Sequence, residues 1–174
     1  MQVEETNIDG LYVVKYFSFS DVRGQLIKPF VFDKFVAEGL SGSFKEIWFT
    51  KSKKDVIRAM HMQVGELACN KFITVVQGKI TDIILDLRKE SSSYGEVFDI
   101  ELDENSKVGL YIPIGCAHGY RVHTENTIVM YAADQQHSAK DDVGVRWDSF
   151  GYNWQCDDPI VSDRDKQLIA FQDY

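Results

Sequence analysis

The sequence predicts an all-β sandwich or barrel that carries only a few short helices. Three observations point there. Short runs rich in β-branched and aromatic residues recur along the 174 residues, turn residues separate them, and helical spacing shows in only two places.

In chain order, LYVVKYF (11–17) is the first strand. FVFDKFVAEGL (30–40) follows as a helix, because Val31, Phe32, Phe35, Val36 and Leu40 fall near helical spacing and Gly39 and Gly42 end the run. FKEIWFT (44–50), NKFITVVQ (70–77) and KITDIILDL (79–87) are strands, with Gly78 as a tight turn between the last two. Within KITDIILDL, apolar Ile80, Ile83, Leu85 and Leu87 intermix with Thr81, Asp82 and Asp86, which reads as a part-buried strand. VFDIEL (97–102), VGLYIPI (108–114) and NTIVMYAA (126–133) complete the set. Near the C-terminus, the aromatic, Gly-punctuated RWDSFGYNWQ (146–155) is expected as an ordered loop against the barrel. Ser162 with an acid three residues later marks a helix start.

No repeat, low-complexity tract or linker interrupts the chain, so residues 1–174 read as one domain with a loop and helix segment at about 147–174. Apolar residues at 44% and charged residues at 26% are those of a soluble globular protein. A net charge of −8 with no long basic run argues against general nucleic-acid binding, so an anionic ligand needs its own local cluster of Arg and Lys. No apolar stretch reaches the roughly 18 residues of a spanning helix, and the acidic, polar N-terminus is not a signal peptide. Cys69, Cys116 and Cys156 are unpatterned and read as small buried thiols, which fits a cytoplasmic protein.

The chemistry-bearing residues cluster around two of the four histidines. YIPIGCAHGYRV (111–122) holds the spacing P-x-G-x-x-H, which resembles the second half of the cupin signature. Pro113 and Gly115 shape a turn, so the strand carrying His118 starts at the open end of a barrel. A metal-binding cupin also needs an H-x-H pair and a glutamate. Here His61 is followed by Met62 and Gln63, and two histidines without a third ligand make a poor transition-metal site. No metal and no cofactor are expected. His123 and His137 read as satisfied core or rim groups. His61 and His118 stand out because Arg58 lies three residues before His61 and Lys71 ten after it. Two imidazoles, an Arg and a Lys suit a negatively charged, oxygen-rich substrate.

Eight motifs in sequence order then resemble the dTDP-4-dehydrorhamnose 3,5-epimerases and their relatives, which act on nucleotide-linked 4-keto sugars. They run from about residue 19 to residue 168: DVRGQL, VIRAMHMQ, the isolated Lys71 before an apolar strand, GKITDIILDLRKESSSYGE, IPIGCAHGY, VMY, VRWD and PIVSDRD. The resemblance implies a jelly-roll cupin (a double-stranded β-helix) that uses no metal, usually as a homodimer whose strands cross between subunits. It implies inversion at C3, C5 or both of a nucleotide-diphospho-4-keto-6-deoxy sugar, in deoxysugar biosynthesis. By similarity His61 is the base, Asp165 the carboxylate that orients it, and Tyr131 the acid on the opposite sugar face. Lys71 and Arg58 fall where the developing enolate oxygen is stabilised, Arg23 where a diphosphate is held, and His118 in the inner wall of the pocket. Glu46, Trp48, His137 and Arg146 join them as substrate-binding candidates.

The reaction asks for these residue types on its own account. A proton beside a ketone comes off only if the oxyanion is stabilised, which a buried cation does. A histidine, with its unperturbed pKa of about 6.5, is matched to take that proton at neutral pH. A carboxylate on its second nitrogen fixes the tautomer. Inversion needs a donor on the other face, and a phenol serves. Each residue also has a plain structural reading: Asp165 as part of a capping box begun by Ser162, Tyr131 as a core strand aromatic, Lys71 as a strand-end charge, Arg23 as a turn residue.

The chain departs from the family pattern in places. Glu46 and Trp48 stand where the family has Gln and Asn, Ala59 replaces a Gly before the catalytic histidine, and His137 replaces a tyrosine that often lines the pocket. Three rival readings stand beside the epimerase. A 3,4-ketoisomerase on the same scaffold would move the carbonyl instead of inverting a centre. A metal-dependent cupin enzyme would hold stoichiometric metal. A non-catalytic sugar-nucleotide module would bind without proton exchange.

Overall fold

A computed structural model describes all 174 residues. Its elements follow in the order β1 (Gln2–Glu5), β2 (Tyr12–Lys15), β3 (Phe17–Asp21), β4 (Gly24–Lys28), α1 (Phe32–Ala37), β5 (Glu46–Ser52), β6 (Val56–Gln63), β7 (Lys71–Gln77), β8 (Lys79–Asp86), β9 (Val97–Asp103), β10 (Val108–Ile112), β11 (Cys116–Val122), β12 (Thr127–Ala133), β13 (Asp142–Gly144), β14 (Ile160–Val161) and α2 (Asp163–Lys166). One sheet has the order β1-β2-β10-β7-β12-β5 and the other β13-β6-β11-β8-β9, with β14 beside β6. The two face each other as a jelly roll. β3 and β4 form a separate hairpin.

The turns at Gly78 and at Pro113–Gly115 do not close hairpins. Each carries the chain from the first sheet to the second, since β7 and β10 lie in one sheet and β8 and β11 in the other. Crossing between layers at every such turn is what winds the chain into a double-stranded β-helix. Gly115 is fixed twice over, by φ +84° and by the Arg88 side chain, whose Cγ would lie 2.4 Å from any Cβ there.

Inward residues of both sheets (Val13, Ile73, Val75, Ile80, Ile84, Leu110, Tyr120, Val129 and neighbours) make the central core. The outer face of the first sheet packs Phe72, Tyr111 and Val14 against Phe35 of α1 and Leu40. The outer face of the second sheet packs Ile57, Ile83, Leu85 and Ala117 under Trp154, Trp147 and Phe150 of the C-terminal loop. With both faces covered, β7 and β8 read as nearly continuous apolar runs.

β8 is therefore not part-buried as its sequence suggests: Asp82 and Asp86 are both fully buried. Asp86 accepts from the backbone N–H of Arg88 (2.9 Å), from Arg88 Nε (2.8 Å) and Nη2 (2.7 Å), and from the hydroxyls of Ser91 (2.8 Å) and Ser93 (2.7 Å). Burial alone raises its pKa, but those five donors outweigh it and hold the carboxyl far below the usual carboxylate range. Because the folded pKa is depressed, this stabilisation is present above about pH 4 and is lost as pH falls toward the folded value. Asp86→Ala leaves the Arg88 guanidinium that seats Gly115 with only the Asp9 carbonyl (2.8 Å) and strands the Ser91 and Ser93 hydroxyls, so a loss of about 3 kcal/mol is expected, read by urea unfolding at pH 7. A loss under roughly 1 kcal/mol would count against the cluster as a clamp on the β10–β11 turn.

Candidate active site

A cavity of about 390 Å³ opens between the two sheets, within the usual size of a small-ligand pocket. β5 alternates: Glu46, Trp48 and Thr50 turn inward, while Ile47, Phe49 and Lys51 stay exposed outside. β12 pairs with it so that Tyr131 stands opposite Trp48 and Ala133 opposite Glu46, and Lys71 of β7 stands opposite Ala133 on the other side. Small Ala133 leaves room between Lys71 and Glu46. The facing wall comes from β6 and β11, which contribute Arg58, His61, Gln63 and His118.

Arg58 and His61 are three residues apart, a spacing that regular strand alternation would send to opposite faces. A bulge reconciles them. β11 pairs His118 with His61 and Tyr120 with Arg58, so three residues of β6 span what two cover on β11. Both side chains then reach the cavity. β13 closes over the bulge at Gly144, opposite His61, where an added Cβ would lie 1.7 Å from the carbonyl oxygen of Met60.

Each inner imidazole carries its own carboxylate. His61 Nε2 lies 2.8 Å from Asp165 Oδ1, leaving Nδ1 free to meet a substrate. Asp165 Oδ2 accepts from the Ala59 backbone N–H (3.2 Å), and the Asp165 N–H donates to Ser162 Oγ (3.1 Å). Asp165 thus meets the His61 ring and takes part in the cap of α2 at once. Burial raises its pKa, yet the His61 contact and the backbone donor outweigh that and leave the carboxyl below its ordinary value. His118 is buried, and its Nε2 lies 2.6 Å from Asp82 Oδ1. Burial pushes the Asp82 pKa up against the opposing pull of His118, and Asp82 Oδ2 has no hydrogen-bond partner.

Tyr131 faces these groups from the first sheet. Its ring stacks on Trp48 at 4.9 Å and 6° and meets the His118 ring edge-on at 5.6 Å. Burial first, then Tyr120 and Asp82, raise its pKa well above the usual phenol, so the hydroxyl is held in its neutral form. Lys71 lines the same cavity. Burial lowers the pKa of its ammonium, against the partly offsetting charges of Cys69 and Asp142. Arg58 donates through Nε to Ser52 Oγ (3.1 Å). His137 is exposed at the rim, where its backbone N–H donates to Glu46 Oε2 (2.6 Å). The whole arrangement is that of a proton-transfer site with a cation for an oxyanion.

The model of the family described as dTDP-4-dehydrorhamnose 3,5-epimerase matches residues 5–173. The chain belongs to that family. The dTDP-4-dehydrorhamnose 3,5-epimerase of Methanothermobacter thermautotrophicus is 30% identical over 167 residues, which cover 93% of this chain and 90% of the relative. That of Shigella flexneri is 30% identical over 178 residues, 99% of this chain and 97% of the relative. The crystal structure of the Bacillus anthracis enzyme with TDP and PPi bound superposes with a TM-score of 0.94 at 32% identity, covering 98% of this chain and 99% of that one. The protein is thus an isomerase, an epimerase of nucleotide-linked 4-keto-6-deoxy sugars.

Two candidates lie elsewhere in this epimerase. Arg23 sits exposed on the β3–β4 hairpin, outside the cavity, in a bidentate pair with Asp21. Arg146 is also outside it; its backbone N–H joins the loop to Ile169 and its guanidinium pairs with Asp148, two residues on. His123 is a rim group bonded to Thr81, remote from the cavity. Cys69 is more than a buried thiol, because it lines the cavity. Asp82, Thr50, Tyr120, Gln63 and Arg164 are site or site-supporting residues that sequence reasoning passed over. Only Asp82 carried a signal, a charge in a run otherwise read as strand.

Proposed function

We propose that the enzyme inverts both C3 and C5 of a dTDP-linked 4-keto-6-deoxyhexose in this cavity. The observation that carries the reading is that His61 and Tyr131 reach one cavity from opposite sheets, with Lys71 in the same wall system. His61 removes the proton beside the ketone through Nδ1, while Asp165 orients the ring and stabilises the imidazolium. Lys71, with Arg58, bears the enolate oxygen. Tyr131 returns a proton from the other face, so the centre inverts. A single histidine would return it to the side it left. His118, Glu46, Trp48 and His137 line the space around the sugar and nucleotide. TDP in the Bacillus anthracis relative supports a thymidine nucleotide as the carrier.

A homodimer fits the surface. Phe17, Phe19, Leu26 and Ile27 of the hairpin and Ile47 and Phe49 of the edge strand β5 are all exposed, an apolar area of the kind that marks an interface. In that assembly Arg23 serves a diphosphate in the partner's cavity, since it cannot serve its own. No helix is long and apolar enough to cross a membrane, and three free thiols suit a reducing cytoplasm.

Incubation in D₂O with a dTDP-linked 4-keto-6-deoxyhexose tests the reaction. Deuterium at inverted C3 and C5, with the ketone still at C4 by NMR, is the expected product. A ketone moved to C3 identifies a ketoisomerase and overturns the proposal.

A further inference from the structure

One part of the cavity wall has no hydrophobic contact to hold it. Residues 134–141 (DQQHSAKD) join β12 to β13, and Gln135 and His137 line the cavity from this loop. Ala139 is its one apolar residue, and Gln136, His137, Ala139 and Lys140 are exposed. Apolar burial therefore contributes little to where the loop sits, and hydrogen bonds set its place.

The bonds at its centre come from one side chain. Gln63 lies two residues after His61 in a regular stretch of β6, so the two share a face. The Gln63 side chain is buried. Its Nε2 donates to the Gln136 carbonyl (3.2 Å) and to the Leu67 carbonyl (2.7 Å), and lies 3.7 Å from Cys69 Sγ. Its Oε1 accepts from the Ser138 backbone N–H (2.7 Å). The amide thus grips the backbone on both sides of His137. Donor and acceptor are both in use, so neither a carboxylate nor an apolar side chain can do the same. The loop ends have their own anchors. Asp134 accepts from the Asn70 backbone N–H (2.8 Å) and Nδ2 (2.7 Å), and the Asp141 carbonyl accepts from the Val64 N–H (2.9 Å).

We infer that Gln63 is a positioning residue for substrate binding, which clamps the loop where Gln135 and His137 meet the sugar nucleotide. The inference rests on this cavity being the epimerase site. Gln63 is placed to act through the loop and not on the reacting carbons. His61 keeps Asp165, and Tyr131 keeps Trp48 and His118, whatever stands at position 63. Loss of the clamp therefore acts on binding. The freed Gln136 carbonyl and Ser138 N–H regain partners by turning to water, which an exposed loop does by leaving the mouth of the cavity. With the loop seated in about one molecule in ten, apparent affinity falls about tenfold.

Steady-state kinetics on a dTDP-linked 4-keto-6-deoxyhexose test this. Gln63→Met keeps the length without donor or acceptor, and Gln63→Glu keeps the shape but cannot donate to either carbonyl. Both are expected to raise KM about tenfold or more, with kcat within about threefold of wild type. In the free Gln63→Met enzyme, amide hydrogen exchange at Ser138 is expected to quicken by about tenfold, whereas Asn70 stays protected. A residue that only packs β6 gives the opposite split, a fall in kcat through His61 with KM unchanged, and that result overturns the inference.

The loop provides the test from its own side. The double variant Gln135→Ala with His137→Ala leaves β6 untouched and is expected to raise KM as much as Gln63→Met. Adding Gln63→Met to it should change KM by less than about twofold, because all three substitutions remove the same contacts. KM within about twofold of wild type in the loop variant overturns the clamp, even where the Gln63 variants fold poorly, and so does a fully additive triple variant. A wild type that fails to turn over this sugar removes the epimerase assignment of the cavity. Turnover by wild type with an unchanged KM in Gln63→Met removes the clamp alone.

Discussion

Replacing His61 by alanine is expected to slow deuterium entry beside the ketone by roughly 10³-fold, the size of a positioned general base. The argument is geometric. Both inner imidazoles commit Nε2 to a carboxylate, but His61 is the open one, 24% exposed against 5% for His118, so its free Nδ1 is the one a substrate in the cavity can reach. The fold should tolerate the change. Asp165 keeps the Ala59 N–H as a donor and its own N–H on Ser162, so a cost of about 1–2 kcal/mol is expected. His61→Asn is the second variant: it can still donate to Asp165 but cannot act as a base, and it should be as inactive and more stable. The Asp165 pKa is depressed in the folded state, so its contribution is present above the ordinary carboxylate value of about 3.9 and disappears as pH falls through the lower folded value. Loss of activity between pH 7 and pH 5 therefore cannot be assigned to Asp165. Methine exchange by NMR and thermal unfolding check both halves, and exchange within about twofold of wild type in His61→Ala and His61→Asn would remove His61 as base.

The strand content was legible because seven runs kept β-rich composition, and each lies on an observed strand. Helix α1 was legible but shorter than its apolar spacing, Phe32–Ala37, since Val31 is extended and Glu38 already leaves helical geometry. β6 was quoted as a motif without being read as a strand, and its bulge explains why. The shift at Ala59 and Met60 breaks period-2 patterning at the point where the site needs Arg58 and His61 on one face. β13 and β14, of three and two residues, are too short to leave a pattern.

The site divided along a similar line. Residues carried by the motif order, His61, Tyr131, Lys71 and Asp165, converge on one cavity or its support. Arg23 and Arg146 do not, because sequence order says nothing of which side of a hairpin or loop a long side chain takes. Asp82 was hidden for a physical reason. A charge in a strand reads as a solvent-facing position, and only the tertiary partner His118 makes its burial tolerable. Tyr120 and Thr50 were hidden the same way, as a core aromatic and an edge threonine whose hydroxyls meet only after the sheets are stacked.

Lys71 concentrates the conflict between stability and function. Its half-buried ammonium enters neither an ion pair nor a side-chain hydrogen bond of its own, and Cys69 and Asp142 offset its desolvation only in part, so the fold bears a cost that a bound oxyanion would relieve. Lys71→Met is therefore expected to act in two directions. kcat should fall by about 10²–10³-fold, the loss seen when one oxyanion donor is removed, while KM changes far less. Stability should rise by about 1 kcal/mol, or roughly 2–4 °C in Tm for a chain of this size, because an apolar side chain of similar length replaces an unpaired cation. The sign with pH follows. The folded pKa lies below the unfolded value of about 10.4, so the penalty is fully present below the folded pKa and is relieved as pH climbs from it toward the unfolded value. Activity runs the other way and is lost as the ammonium deprotonates, on an alkaline limb that begins below the range of a free lysine. Steady-state kinetics against pH and calorimetry on wild type and Lys71→Met measure each part. A variant with wild-type kcat would remove Lys71 from the enolate, and a variant that is both inactive and less stable would mean that Lys71 holds the fold together through contacts other than its charge.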